Sequence, residues 1–130
     1  MTAVLLDTHV VYWLSARSDE LSAAANAAIM VAERLAVSSV TWYELAWLAS
    51  RDRISVSIPV RDWLEGIGES VQTIPTTPAI AATAVGLPTS FPNDPADRVI
   101  YATAIERGWQ LVTKDRALRR HRHSRKITIW

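Results

Sequence analysis

Ala3-Val4-Leu5-Leu6-Asp7 is the stretch on which the fold turns. The four apolar residues read as a short buried strand, and Asp7 ends it just before a second apolar stretch that contains Trp13. An acid at the carboxyl end of a first strand is where α/β sheets keep their active sites. Three more acids sit in comparable places. Glu44, Asp97 and Asp115 each fall where an apolar run gives way to a helix, or where a helix begins.

Outward from that strand, residues 8 to 15 suggest a short helix. A second helix is expected through Leu21, Ala25, Ala28, Ile29 and Ala32, with Ser18 or Asp19 as its cap. Leu35-Ala36-Val37-Ser38 suits a second strand, and Thr41 opens a helix to about Arg51. Ile54-Ser55-Val56-Ser57-Ile58 alternates like a short extended segment broken by Pro59, and a helix over 60 to 68 ends near Gly68. Val71 to Ile74 is a third strand. Thr77-Pro78 starts a helix with proline at its first position, which stops at Gly86. After the two-proline loop from Leu87 to Asn93, Asp94-Pro95 starts a stronger helix that ends before Gly108. Gln110-Leu111-Val112-Thr113 is strand four, Asp115 begins a short helix, and Ile127-Thr128-Ile129-Trp130 closes as a last strand. Strands alternating with helices imply a mostly parallel sheet covered on both faces. No internal repeat or linker interrupts it.

The chain has 130 residues, 49% of them hydrophobic, which suits a single domain that buries about two-thirds of its unfolded surface. Its formal net charge of +1 conceals an asymmetry. From Lys114 to Lys126 the segment KDRALRRHRHSRK holds seven basic residues and one acid, so the remainder is acidic overall. The absence of cysteine excludes disulfides and thiolate metal sites and suits a reducing cytoplasm. The N-terminus has no basic n-region of a signal peptide, and the uncharged stretch from Ser70 to Asn93 carries four prolines, which argues against a membrane-spanning helix.

Each acid also has a structural explanation. Asp7 taken alone serves equally well as a helix cap. Thr41-Trp42-Tyr43-Glu44 spells a capping box, and for Glu44 alone that is the better reading. Asp94-Pro95-Ala96-Asp97 has the form of an N-cap followed by an acid, and Asp115 again suits a cap. Asp97, however, shares a helical face with Ile100, Tyr101 and Ala104, and a carboxylate on a core-facing stripe needs a partner or a cation. The conjunction of all four favours chemistry. If strand order reverses between strands one and four, Asp7 and Asp115 flank the crevice, and the helices near Thr41 and Asp94 bring Glu44 and Asp97 to its rim. Two like unit charges about 4 Å apart repel by roughly 4 kcal/mol at an effective dielectric of roughly 20, so such a cluster wants a counterion. An all-oxygen site suits magnesium or manganese, which orients and acidifies a water for in-line attack on a phosphodiester.

The blocks Asp7-Thr8-His9, Ser38-Ser39-Val40-Thr41-Trp42-Tyr43-Glu44, Asp94-Pro95-Ala96-Asp97-Arg98-Val99-Ile100-Tyr101-Ala102-Thr103-Ala104 and Leu111-Val112-Thr113-Lys114-Asp115 resemble the PIN-domain ribonuclease toxins of VapC type, in order and along the whole chain. The resemblance implies a single PIN domain over residues 1–130, a three-layer α/β sandwich with a parallel sheet in the order 3-2-1-4-5. It implies Mg2+-dependent endoribonuclease activity (Mn2+ being the alternative ion), a cognate VapB-type antitoxin, an RNA substrate, a homodimer and a cytoplasmic location. By position Asp7, Glu44, Asp97 and Asp115 would form the catalytic, metal-holding quartet. Asp94 is either an acid beyond the direct ligands or only the cap, and Thr113 orders the site through its hydroxyl. Trp13, Trp42 and Trp47 fall on helices that border the antitoxin groove in this family, and at least one of them is expected to be partly exposed.

The basic segment has two readings. Arg116, Arg119, Arg120, Arg122 and Arg125 grip RNA phosphates beside the acidic pocket, or they form a solvated face that keeps the protein soluble. His121 and His123 read as surface residues, and His9 as a packed histidine after the strand. Other functions fit less well. A haloacid-type phosphatase wants a second aspartate where His9 stands, and a phosphate receiver wants an aspartate at strand three, where Val71 to Pro75 has none. A PIN nuclease of RNA processing, or an RNA-binding domain without catalysis on the same fold, remains the alternative.

Overall fold

The computed structural model describes residues 2–130 and contains five strands and seven helices. In chain order these are β1 (Ala3–Leu6), α1 (Thr8–Ala16), α2 (Ala23–Val31), β2 (Arg34–Ser38), α3 (Ser39–Ser50), α4 (Val60–Gly68), β3 (Gln72–Ile74), α5 (Pro78–Gly86), α6 (Pro95–Arg107), β4 (Gln110–Val112), α7 (Arg116–Arg120) and β5 (Thr128–Ile129). The strands form one sheet in the order β3-β2-β1-β4-β5, with every neighbouring pair parallel. The chain first builds outward from β1 through β2 to β3. It then crosses back by α5 and α6 to β4 on the other side of β1. The reversal leaves a crevice at the carboxyl ends of β1 and β4, and the Asp7 amide bonds the Val112 carbonyl across it at 3.0 Å.

Alternation along the strands divides the core in two. Leu5, Ala36 and Leu111 point to one face, against Ile80, Ala84 and Ile100 of α5 and α6. Val4, Leu6, Val37 and Val112 point to the other, against Val10, Val11 and Ala25 of α1 and α2 and Leu45 of α3. α6 ends on Gly108 at φ 68°, a left-handed conformation that glycine adopts without the cost a Cβ would impose.

Three local expectations are revised. The second helix is capped by Ser22, whose Oγ accepts from the Ala25 amide at 3.0 Å, because Asp19 and Glu20 form a separate 3-10 turn over Ser18–Glu20 and pair with Arg17. The third helix starts at Ser39 with Ser38 as cap, its Oγ accepting from the Val40 amide at 3.3 Å, so Thr41 lies buried in the first turn and does not cap it. Residues 54–58 join no sheet; Ile54 is buried while the Ser55 backbone meets the Tyr12 hydroxyl.

Candidate active site

Asp7, Glu44, Asp94, Asp97 and Asp115 all line one cleft of about 840 Å3. Each is placed by the element it caps or rides on. Asp7 follows β1 and caps α1, its Oδ1 accepting from the Thr8 amide at 2.8 Å. Its Oδ2 accepts from the Thr113 hydroxyl at 2.6 Å, and that same oxygen of Thr113 accepts from the Asp115 amide at 3.1 Å. One buried threonine at the end of β4 therefore ties the acid of β1 to the start of α7. Asp115 caps α7 through Oδ1 alone, accepting from Ala117 and Leu118 at 2.8 and 3.1 Å. Asp94 caps α6 by accepting from the Asp97 amide at 3.1 Å. For Asp7, Asp94 and Asp115, capping and facing the cleft are both true.

Glu44 does not close a capping box. Its Oε1 accepts a 2.5 Å hydrogen bond from the Thr8 hydroxyl, which also lies 3.3 Å from the Thr41 hydroxyl. With Ser38 as cap, Glu44 lies beyond the first turn of α3 and meets α1 instead, and Thr8 becomes a site residue whose only sequence signal is its place after Asp7.

The electrostatics are those of acids crowded without a counterion. Burial pushes the Asp7 carboxyl up, against the Thr113 hydrogen bond that pulls it down. Burial raises Glu44 too, with the charges of Asp7 and Asp94 adding to it and the Thr8 hydroxyl opposing. Asp97 has no hydrogen-bond donor among the described residues; burial and the fields of Asp7, Asp94, Asp115 and Glu44 push its pKa up to about 7.

A PIN-domain family model matches residues 4–123. Ribonuclease VapC22 of Mycobacterium tuberculosis is 61% identical over 130 residues, covering all of both chains. The chain belongs to the PIN-domain family, VapC type. The sheet order and helix layers agree with solved structures. DNA-bound VapBC from Salmonella typhimurium superposes with a TM-score of 0.73 at 20% identity over 98% of each chain, and a toxin-antitoxin complex from Klebsiella pneumoniae with 0.65 at 22% identity over 86% of each. At those identities the likeness is one of fold.

The non-acidic lining of this PIN domain's cleft is apolar and cationic. Trp13, Tyr43, Trp47 and Leu48 form a wall on which Tyr43 is 72% and Trp47 41% exposed, so the expectation of an exposed tryptophan holds for Trp47. Tyr43 was not foreseen. Trp42 lies off the cleft, donating from Nε1 to the Thr73 hydroxyl at 3.0 Å, because it points along α3 toward β3. His9 is exposed, not packed; it lines the cleft with its ring tilted against that of Trp13 at 5.7 Å, and Lys114 Nζ lies 5.4 Å from the same tryptophan ring. His121 is half-buried, edge-on to Phe91 and Tyr101, and burial lowers its pKa; only His123 is a surface residue. Arg125 is engaged by the Ala104 and Trp109 carbonyls at 3.0 and 3.1 Å, which removes it from the phosphate-gripping set. Arg116, Arg119, Arg120 and Arg122 are exposed.

Proposed function

We propose that this PIN domain is a divalent-metal-dependent endoribonuclease and the toxin of a toxin-antitoxin pair. The observation that carries the reading is the convergence of five acids, from the ends of β1 and β4 and from α3 and α6, on one cleft. The full-length relative bears the name ribonuclease, and the solved structures of like fold include a toxin-antitoxin complex and a DNA-bound VapBC, which supports the same reading.

The donor set suits a hard cation. Every candidate ligand is a carboxylate oxygen, Asp97 has both oxygens uncommitted, and each of the three raised acids is held up by burial and like charge that a divalent ion would offset. Among the described residues no three acids are already close enough to enclose an ion. That arrangement fits Mg2+ or Mn2+, because Mg2+ usually takes one or two carboxylates and keeps several waters. Asp7 and Asp97 are the direct ligands in this proposal, with Glu44 and Asp115 completing the site and Asp94 acting from beyond them. A bound cation would polarise the phosphodiester and acidify a water for in-line attack. The chain's own residues then hold geometry. Thr113 aims Asp7 and favours its ionised form against the effect of burial, Thr8 does the same for Glu44, and Lys114 offers a positive charge in the cleft. The apolar wall of Trp13, Tyr43 and Trp47 beside the acids suits an antitoxin segment laid over the cleft, and a homodimer remains part of the proposal.

Cleavage of RNA, assayed with and without chelator and compared with Asp7→Asn and Asp97→Asn, tests the reading. Chelator or either substitution is expected to abolish cleavage while the circular dichroism spectrum stays native. Undiminished cleavage by Asp97→Asn, or in excess chelator, would overturn it.

A further inference from the structure

A second cavity, of about 570 Å3, is lined by Arg116, Arg119, Arg120, Lys126, Thr128 and Trp130. All four charged lining residues are cations. Among the described residues the ion pairs join Arg17 to Asp19 and Glu20, and Arg61 to Glu65, so none of the four has a carboxylate partner. Arg125, from the same basic segment, shows the contrast, because its guanidinium is spent on two backbone carbonyls. Four like charges gathered round a cavity disfavour the fold, and among the described residues no ion pair offsets them. A ligand with closely spaced negative charges would.

The cavity neighbours the acidic cleft. Asp115, the cap of α7, lines the cleft and the next residue, Arg116, lines the cavity, so the two meet at the start of α7. Trp130 lines the cavity, and its ring lies 5.8 Å from that of Trp13, which lines the cleft beside His9 and Lys114. Both tryptophans are only partly buried. Cations to take phosphates, with aromatic faces between them to take bases, is the alternation by which proteins hold single-stranded nucleic acid. An acidic peptide would use the arginines but would leave the two tryptophan faces without a role.

We infer that the cavity of Arg116, Arg119, Arg120 and Lys126 is a phosphate subsite for single-stranded RNA running past the scissile position, with a base stacked on the Trp13–Trp130 pair. The inference rests on the nuclease reading only for which phosphate is cut. Its test is binding of a labelled single-stranded RNA to the full chain in chelator, followed by fluorescence anisotropy across a potassium chloride series. Each phosphate contact contributes about 0.7 to the slope of log affinity against log salt, so Arg116→Ala with Arg119→Ala should lower that slope by about 1.4. Trp130→Ala should weaken binding by about tenfold with the slope unchanged, and Trp130→Phe, which keeps a ring, should recover most of it. Arg61→Ala, on α4, should change neither.

An unchanged slope in the double variant overturns the inference. So does polyglutamate competing as well as RNA with no sensitivity to Trp130. Binding that follows these slopes in a chain unable to cleave RNA with Mg2+ or Mn2+ would sink the nuclease reading and sustain the subsite. Cleavage by a chain whose variants bind like the wild type would do the reverse.

Discussion

Asp97 is the acid with most to gain from a counterion, since it has no hydrogen-bond donor among the described residues and four acidic neighbours. Its folded pKa of about 7 against 3.8 for an ordinary aspartate means that the folded chain binds more protons than the unfolded one between those values. This contribution to stability is complete below the lower value and is lost as pH rises through the upper one. Metal-free protein should therefore lose thermal stability from about pH 4 to pH 7, and Asp97→Asn, which has no proton to lose, should lose less. Parallel melting curves of the two chains in chelator check it, and identical pH dependence would remove the argument. Asp97 could be singled out in advance because its helical face is the core-facing one. Glu44 could not be read so well. Its partner, Thr8, lies on another helix, and how α3 packs against α1 decides that contact.

The loop before α6 shows a similar dependence on elements that meet only in the fold. Arg98 was read only as part of the Asp-Pro-Ala-Asp-Arg block, yet all five of its N–H groups are taken by carbonyls, those of Ala84, Leu87, Pro88, Phe91 and Pro92, at 2.9 to 3.2 Å. The guanidinium thus ends α5 and pins the proline loop that leads into Asp94 and Asp97. A lysine cannot reproduce the fork, so Arg98→Lys should cost about 2 kcal/mol by urea denaturation, much of it from carbonyls left unpaired. A cost below about 0.5 kcal/mol would show the clamp to be incidental. No spacing rule announces such a residue, because its partners are backbone oxygens of an irregular loop. The strands, the proline-started helices and the Gly108 stop were legible because each is set by neighbours a few residues away.

The five-stranded sheet itself is the device that assembles the acids, since β1 and β4 become neighbours only through the long crossover by way of α5 and α6. Any ion held by those acids binds the folded chain alone and stabilises all of it, by about 2.7 kcal/mol at a hundred times the dissociation constant. Mg2+ or Mn2+ should raise the melting temperature at neutral pH, and Asp7→Asn should abolish most of the rise. A melting temperature indifferent to both ions at millimolar concentration would argue against the ligand set. The sequence by itself determined the elements, the parallel sheet and which acids end up at its switch point, because apolar period, caps and prolines act locally. Only the tertiary structure decided that Thr8 holds Glu44, that Trp47 faces the cleft while Trp42 does not, and that Arg125 is spent while Arg116 and Arg119 have no carboxylate partner among the described residues. Those outcomes depend on how helices rotate against the sheet when both faces bury their apolar sides, and that balance belongs to the packed whole.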